Sequence, residues 1–156
     1  MCGWFDKLAR DRRGTTAVEF AFLLPLLLMV LLTLTELGRG FLQANAVEKG
    51  LRAGGLYAAR AEYPLPAAAS QTVENLVKTG TLDGAGSYLA PGWADAAAAF
   101  SFPPPTTFAV DDQDVPVYSL SASVPFEPLF PGVMSMLGLG GTFVIELTHE
   151  QAYVGT

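Results

Sequence analysis

The chain has 156 residues, 51% of them apolar, a formal charge of −6 and one cysteine, Cys2. That is one domain's worth of material, part of it in a long apolar run. An acidic balance with no basic stripe argues against nucleic-acid binding, and a lone cysteine excludes an internal disulfide or a cysteine-based metal site.

Residues 1–14 form a short leader whose charges, Asp6, Lys7, Arg10, Asp11, Arg12 and Arg13, leave an excess of two positives. Everything after it is acidic on balance. Residues 15–36 follow as a predicted membrane helix: Phe20 to Thr35 is almost wholly apolar, and with Ala17 and Val18 the run reaches the roughly 17–20 residues that cross a bilayer core. Positive charge flanks only its N-terminal end, so the leader is expected in the cytoplasm and the rest of the chain across the membrane. Glu19 stands near the start of the run. A carboxylate at the centre of a spanning helix costs about 2.5–3.5 kcal/mol, less near the interface, so Glu19 needs a partner or a task. Pro25 removes one helix hydrogen bond and crowds the carbonyl of Ala21, giving either a harmless kink or a soft point for repacking. Ala44-Asn45-Ala46 resembles a signal-peptidase site, but the apolar run is long for a signal peptide, Glu36 and Arg39 interrupt the approach to the cleavage point, and Glu19 also counts against it.

Beyond Glu36 the pattern turns amphipathic, predicting that the helix continues over residues 37–62. Leu37, Phe41, Ala44, Val47, Leu51, Gly54 and Ala58 recur at helical spacing and predict one buried face. Arg39, Gln43, Glu48, Lys49 and Arg52 fall mostly elsewhere, and Glu48 with Arg52 makes a favourable i, i+4 pair. Gly50 and Gly54 form a small-xxx-small pair, flanked by Gly38, Gly40 and Gly55. Such low spots admit another helix closely, either in the same chain or on a neighbouring subunit.

Residues 63–156 are predicted to be the extracytoplasmic domain. Tyr63-Pro64-Leu65-Pro66 ends the long helix, and a short one follows from Ala67 to Lys78, with Val73, Leu76 and Val77 apolar and Gly80 as stop. Strands are predicted at Ala97–Phe102, Thr106–Val110, Val115–Val124 and Thr142–Val154, with a short helix over Gly132–Leu139. The fold class is therefore α+β, a long helix packed on a small antiparallel sheet. Asp111, Asp112 and Asp114 lie in a hairpin turn; they could offer oxygens to Ca²⁺, but lack EF-hand spacing and read better as a solvated tip. His149, the only histidine, falls on the face of Phe143, Ile145 and Leu147 and reads as a structural, hydrogen-bonded residue. No nucleophile elbow, phosphate loop or zincin motif is present, so neither enzymatic activity nor a cofactor is expected.

Arg12-Arg13-Gly14-Thr15-Thr16-Ala17-Val18-Glu19-Phe20, with Leu24-Pro25 and Glu36-Leu37-Gly38-Arg39, resembles the TadE-like family, the pseudopilins or minor pilins of the Flp/Tad tight-adherence pilus. The resemblance spans about Arg10 to Arg60 and implies a pilin-like fold. It implies cleavage by a prepilin peptidase between Gly14 and Thr15, which makes Glu19 the fifth residue of the mature chain and Phe20 its neighbour. It also implies subunit packing through Glu19, Pro25, Glu36, Gly38, Gly50 and Gly54. The implied partners are the inner membrane, that peptidase, other pilin and minor-pilin subunits and the assembly platform. Thr15 departs from the hydrophobic first residue of many type IV pilins, which leaves N-methylation open. The alternative is an uncleaved, single-pass anchored domain that binds or scaffolds.

Overall fold

The computed structural model describes residues 13–110, 113–136, 138 and 143–155. The leader through Arg12 and the turn residues Asp111 and Asp112 lie outside the described residues. One helix, α1 (Arg13–Arg60), runs 48 residues, about 70 Å at 1.5 Å per residue. It is long and apolar enough to cross a membrane, and none of its most apolar 18-residue window is buried among the described residues. The two threonines near its C-terminal end are satisfied by their own helix. The hydroxyls of Thr33 and Thr35 donate to the carbonyls of Met29 and Leu31, at 2.8 and 2.9 Å, the back-bonding that makes hydroxyls tolerable in lipid.

The second half of α1 is the spine of the domain. Against it packs α2 (Ala67–Thr79), which buries Ala69, Val73 and Val77 and leaves Leu76 half-buried. Gly80 stops α2 as its punctuation predicts: it takes φ 72°, and its N–H donates to Leu76 O at 3.0 Å. A short 3-10 turn, Pro91–Ala94, then tucks Trp93 into the core.

The sheet is organised around β3 (Gln113–Pro125). Along one edge lie β1 (Ala99–Ser101) and β2 (Thr106–Val110), both antiparallel to β3 and collinear with each other. Pro103-Pro104-Pro105 separates them because proline cannot donate to the ladder. Along the opposite edge, β4 (Val144–Ala152) pairs in unbroken register from Val117↔Ala152 to Pro125↔Val144. The predicted alternation holds. Tyr118, Leu120, Ala122 and Val124 are buried, opposite Gln151, His149, Leu147 and Ile145 of β4 on the same face. That face meets α1 and α2, and the core is Val47, Leu51, Ala58, Val73, Val77, Trp93 and the β3 residues. Together these elements are the predicted α+β arrangement, a long N-terminal helix on a small antiparallel sheet. The phenol of Tyr118 is buried without a hydrogen-bond partner among the described residues. Burial, with Tyr63 and Tyr153 adding to it, pushes its pKa above the ordinary 10.0. Folding therefore favours the neutral phenol, and that preference is lost as pH rises through the raised value.

The small stripe of α1 is used inside the chain. A β-carbon at Gly50 would collide with the carbonyl of Val77, one at Gly54 would lie 2.7 Å from Val77 Cγ2, and one at Gly55 would lie 2.9 Å from His149 Cδ2. Glycine is what lets α1 approach α2 and β4 this closely. By contrast, an added carbon at Gly38 meets nothing within 4 Å. Gly50→Ala is expected to cost about 1–3 kcal/mol, because main chain must move. Gly38→Ala should leave stability unchanged or raise it by up to about 1 kcal/mol through helix propensity. Thermal unfolding of the full chain in detergent checks both; equal effects at the two sites would contradict the packing.

Candidate functional site

Two regions of α1 carry the residues singled out by the sequence. The first is the bare half. Glu19, Phe20 and Pro25 are all exposed, as are Val18, Phe22, Leu26, Leu27 and Leu31 around the helix. Nothing among the described residues covers this surface. Among the described residues Glu19 has no cationic partner within the chain. The Gly14–Thr15 bond lies in the first turn of α1.

The second region is the junction with the domain. Glu36 is the most buried charged residue described, at 2% exposure. Its Oε1 accepts the N–H of Phe130, and its Oε2 stands 4.0 Å from Arg39 Nε. About two turns beyond Glu36, Gln43 is also buried and makes a two-way contact with the main chain of Glu127. Its Nε2 donates to Glu127 O at 3.1 Å, and its Oε1 accepts the Glu127 N–H at 3.4 Å. Arg39 adds a longer bond to the same carbonyl, 3.4 Å. Glu36, Arg39 and Gln43 thus form a polar ladder on one face of α1, and the loop between β3 and α3 (Pro131–Met136) hangs on it. Loops carry backbone N–H and C=O groups that must be paired where they are covered, and this ladder pairs them.

The ladder corrects the predicted face. Leu37 and Phe41 lie on the predicted apolar face and Gln43 mostly off it, yet Leu37 is 57% and Phe41 65% exposed, while Gln43 is buried. Two lines of residues run side by side here, Glu36-Gly40-Gln43 and Leu37-Phe41-Ala44, one residue apart around the helix. The polar line faces inward because the loop supplies partners for it. The upper part of the predicted face, Val47, Leu51, Gly54 and Ala58, is buried as expected.

The other singled-out residues fall into place as follows. Glu36, Gly50 and Gly54 make contacts within one chain, and Gly38 is open on the surface. Asp114 is an exposed residue of β3 opposite Ala109, away from the ladder, and Asp111 and Asp112 lie outside the described residues. Among the described residues, no group of three or more His, Cys, Asp or Glu side chains gathers as a metal site. His149 lies on the predicted face against Gly55, but its buried Nε2 lacks the expected hydrogen-bond partner among the described residues. Glu48 and Arg52 form the expected pair at 2.7 Å; both are well exposed, so it adds little stability. The inward role of Glu36 and Gln43 escaped the sequence reading, although two polar residues seven positions apart are a helical repeat in their own right.

Residues 14–56 match the family model described as TadE-like protein, the family that the N-terminal motif resembles. The match begins at the glycine of the basic motif and ends inside α1, so it covers the bare half and the junction. No curated protein and no solved structure matches the chain.

Glu36→Ala should strip the Phe130 N–H of its acceptor and leave Arg39 without its carboxylate. The expected cost is about 1–3 kcal/mol, the penalty for orphaning a buried polar group. Glu36→Gln keeps an acceptor oxygen and should lose less. Hydrogen exchange of a peptide spanning residues 126–131 reads this directly: faster exchange in Glu36→Ala and near-normal exchange in Glu36→Gln. Unchanged protection in Glu36→Ala would refute the anchoring role.

Proposed function

We propose that the chain is a minor pilin or pseudopilin of a Tad (Flp) type pilus, a structural subunit that initiates, caps or supports assembly. The observation that carries this reading is the coincidence of three features on α1. The TadE-like match starts at Gly14, the Gly-Thr-Thr-Ala-Val-Glu-Phe motif opens the helix, and the helix surface that follows has no cover among the described residues. A subunit stored in a membrane and later stacked against others needs such a surface. It must be compatible with lipid first and with neighbouring helices afterwards.

In this reading the chain lies in the inner membrane with its N-terminus in the cytoplasm and its domain outside the cytoplasm. A prepilin peptidase cuts between Gly14 and Thr15, removing the basic leader and freeing an amine on Thr15. Helix ends fray, which gives the peptidase access to this first turn. The Glu19 carboxylate then pairs with such an amine on an adjacent subunit. Breaking a buried ion pair by removing one partner costs about 3–5 kcal/mol, so the pair favours correctly stacked helices over shifted ones. The domain beyond Tyr63, held on the Glu36 ladder, gives the subunit a body that could serve at a pilus tip or base. The role is non-enzymatic, and the assembly platform and other pilins are its partners.

N-terminal sequencing of protein extracted from cells with an intact machinery should find Thr15 first. A chain that still begins at Met1 under those conditions points instead to a permanently anchored scaffold. Glu19→Ala is expected to insert normally yet reduce pilus formation strongly; undiminished piliation would remove the proposed pairing.

A further inference from the structure

The segment of α1 just above its apolar window is inside out. Between Glu36 and Gln43 the polar side chains point into the domain, while Leu37, Phe41 and Leu42 are exposed at 57%, 65% and 70%. A helix bathed in water shows the opposite pattern. The domain presents matching residues nearby: Leu129, next to the Phe130 that caps Glu36, and Phe143 and Val144 at the start of β4 are also exposed. Between helix and domain an apolar groove of about 430 Å³ opens, running from Thr33 past Phe41 to Phe126, Met134 and Phe143.

We propose that this collar is a lipid-docking surface, on which the domain sits in the headgroup and upper acyl layer of the leaflet it faces. The proposal deepens the membrane-anchored reading and rests on it. Length supports it. Val18 to Thr35 spans about 27 Å at 1.5 Å per residue, close to the roughly 30 Å of a hydrocarbon core. Leu37 to Leu42 then occupy the next several ångströms, the depth to which amphipathic surfaces embed. The collar is continuous with the exposed apolar window through Thr33 and Leu34, so lipid that covers one reaches the other. The polar ladder serves the same end. Glu36, which lines the groove, and Gln43 already hold main-chain partners under the loop, so each meets an apolar layer with a hydrogen bond made. The occupant is thus the phospholipid of the host membrane, held by apolar contact without a headgroup-specific pocket.

Site-directed spin labelling tests this on the full chain in phospholipid vesicles. Cys2 is the only cysteine, so a Cys2→Ser background accepts single labels at Phe41→Cys, Leu42→Cys and Leu129→Cys. Leu27→Cys serves as the membrane reference and Lys49→Cys as the aqueous reference. All five label positions are exposed, so none disturbs the core. The ratio of oxygen to water-soluble nickel-chelate access is expected to be several-fold higher at 41, 42 and 129 than at 49, though below that at 27. Nickel access at 41, 42 and 129 equal to that at 49, with 27 still in lipid, would overturn the collar while leaving the anchor intact. Free nickel access at 27 would overturn the anchor itself. Exclusion of both reagents at 41 and 129, relieved by diluting protein into excess lipid, would mean that a second copy covers the surface and would also overturn the proposal.

Discussion

Where α1 passes from its bare half to its packed half, the carboxylate of Glu36 is folded under the β3–α3 loop, bonded to the Phe130 N–H and set beside Arg39. The placement of the domain on the helix depends on this junction. Below this point the helix surface is apolar and exposed, and above it one face of the helix is buried against the domain. One carboxylate oxygen of Glu36 is satisfied by the Phe130 N–H, whereas Oε2, 4.0 Å from Arg39 Nε, is buried with no hydrogen-bond partner among the described residues. Gln43 repeats the device one step higher, binding both main-chain groups of Glu127.

Above the junction the fold is governed by close approach. Gly50, Gly54 and Gly55 let α2 and β4 reach the α1 backbone, and the volume they leave is filled by Val73, Val77, Leu120 and His149. Each glycine weakens the helix by about 1 kcal/mol relative to alanine, and burial of those neighbours offsets it. The C-terminus closes the arrangement, since the Val154 N–H donates to Ala59 O near the end of α1 and Tyr153 packs on Tyr63 at 5.5 Å. The helix is thus tied to the domain at both ends of their contact.

Much of this was legible in the sequence because its signals are local. The length of α1, the stop at Gly80, the collinear breaks at Pro103–Pro105 and the alternation of Tyr118 to Val124 follow from periodicity and punctuation within a few residues. The Glu36-Gln43 face was not legible, since its choice over Leu37-Phe41 depends on a loop 84 to 94 residues away. Nor could spacing tell whether Gly50 and Gly54 meet a helix of the same chain or of another, because the steric demand is identical. At the site, the motif from Gly14 to Phe20 was readable as a resemblance, and the family match at residues 14–56 bears that resemblance out. What the motif could not reveal is that the carboxylate at position 36 has its task inside the chain, whereas the one at position 19 faces outward.

Glu36 is buried against the domain and Glu19 is exposed on the bare half of α1. In the proposed account the lower surface exchanges lipid for neighbouring subunits once the leader is gone. A photo-crosslinking residue at Leu26, which is exposed in the middle of the bare half, tests that exchange most directly when read in cells with and without the processing peptidase. The account predicts crosslinks to another pilin-like subunit only when the peptidase is present, and to lipid when it is absent. Crosslinks to lipid alone in both strains would contradict it.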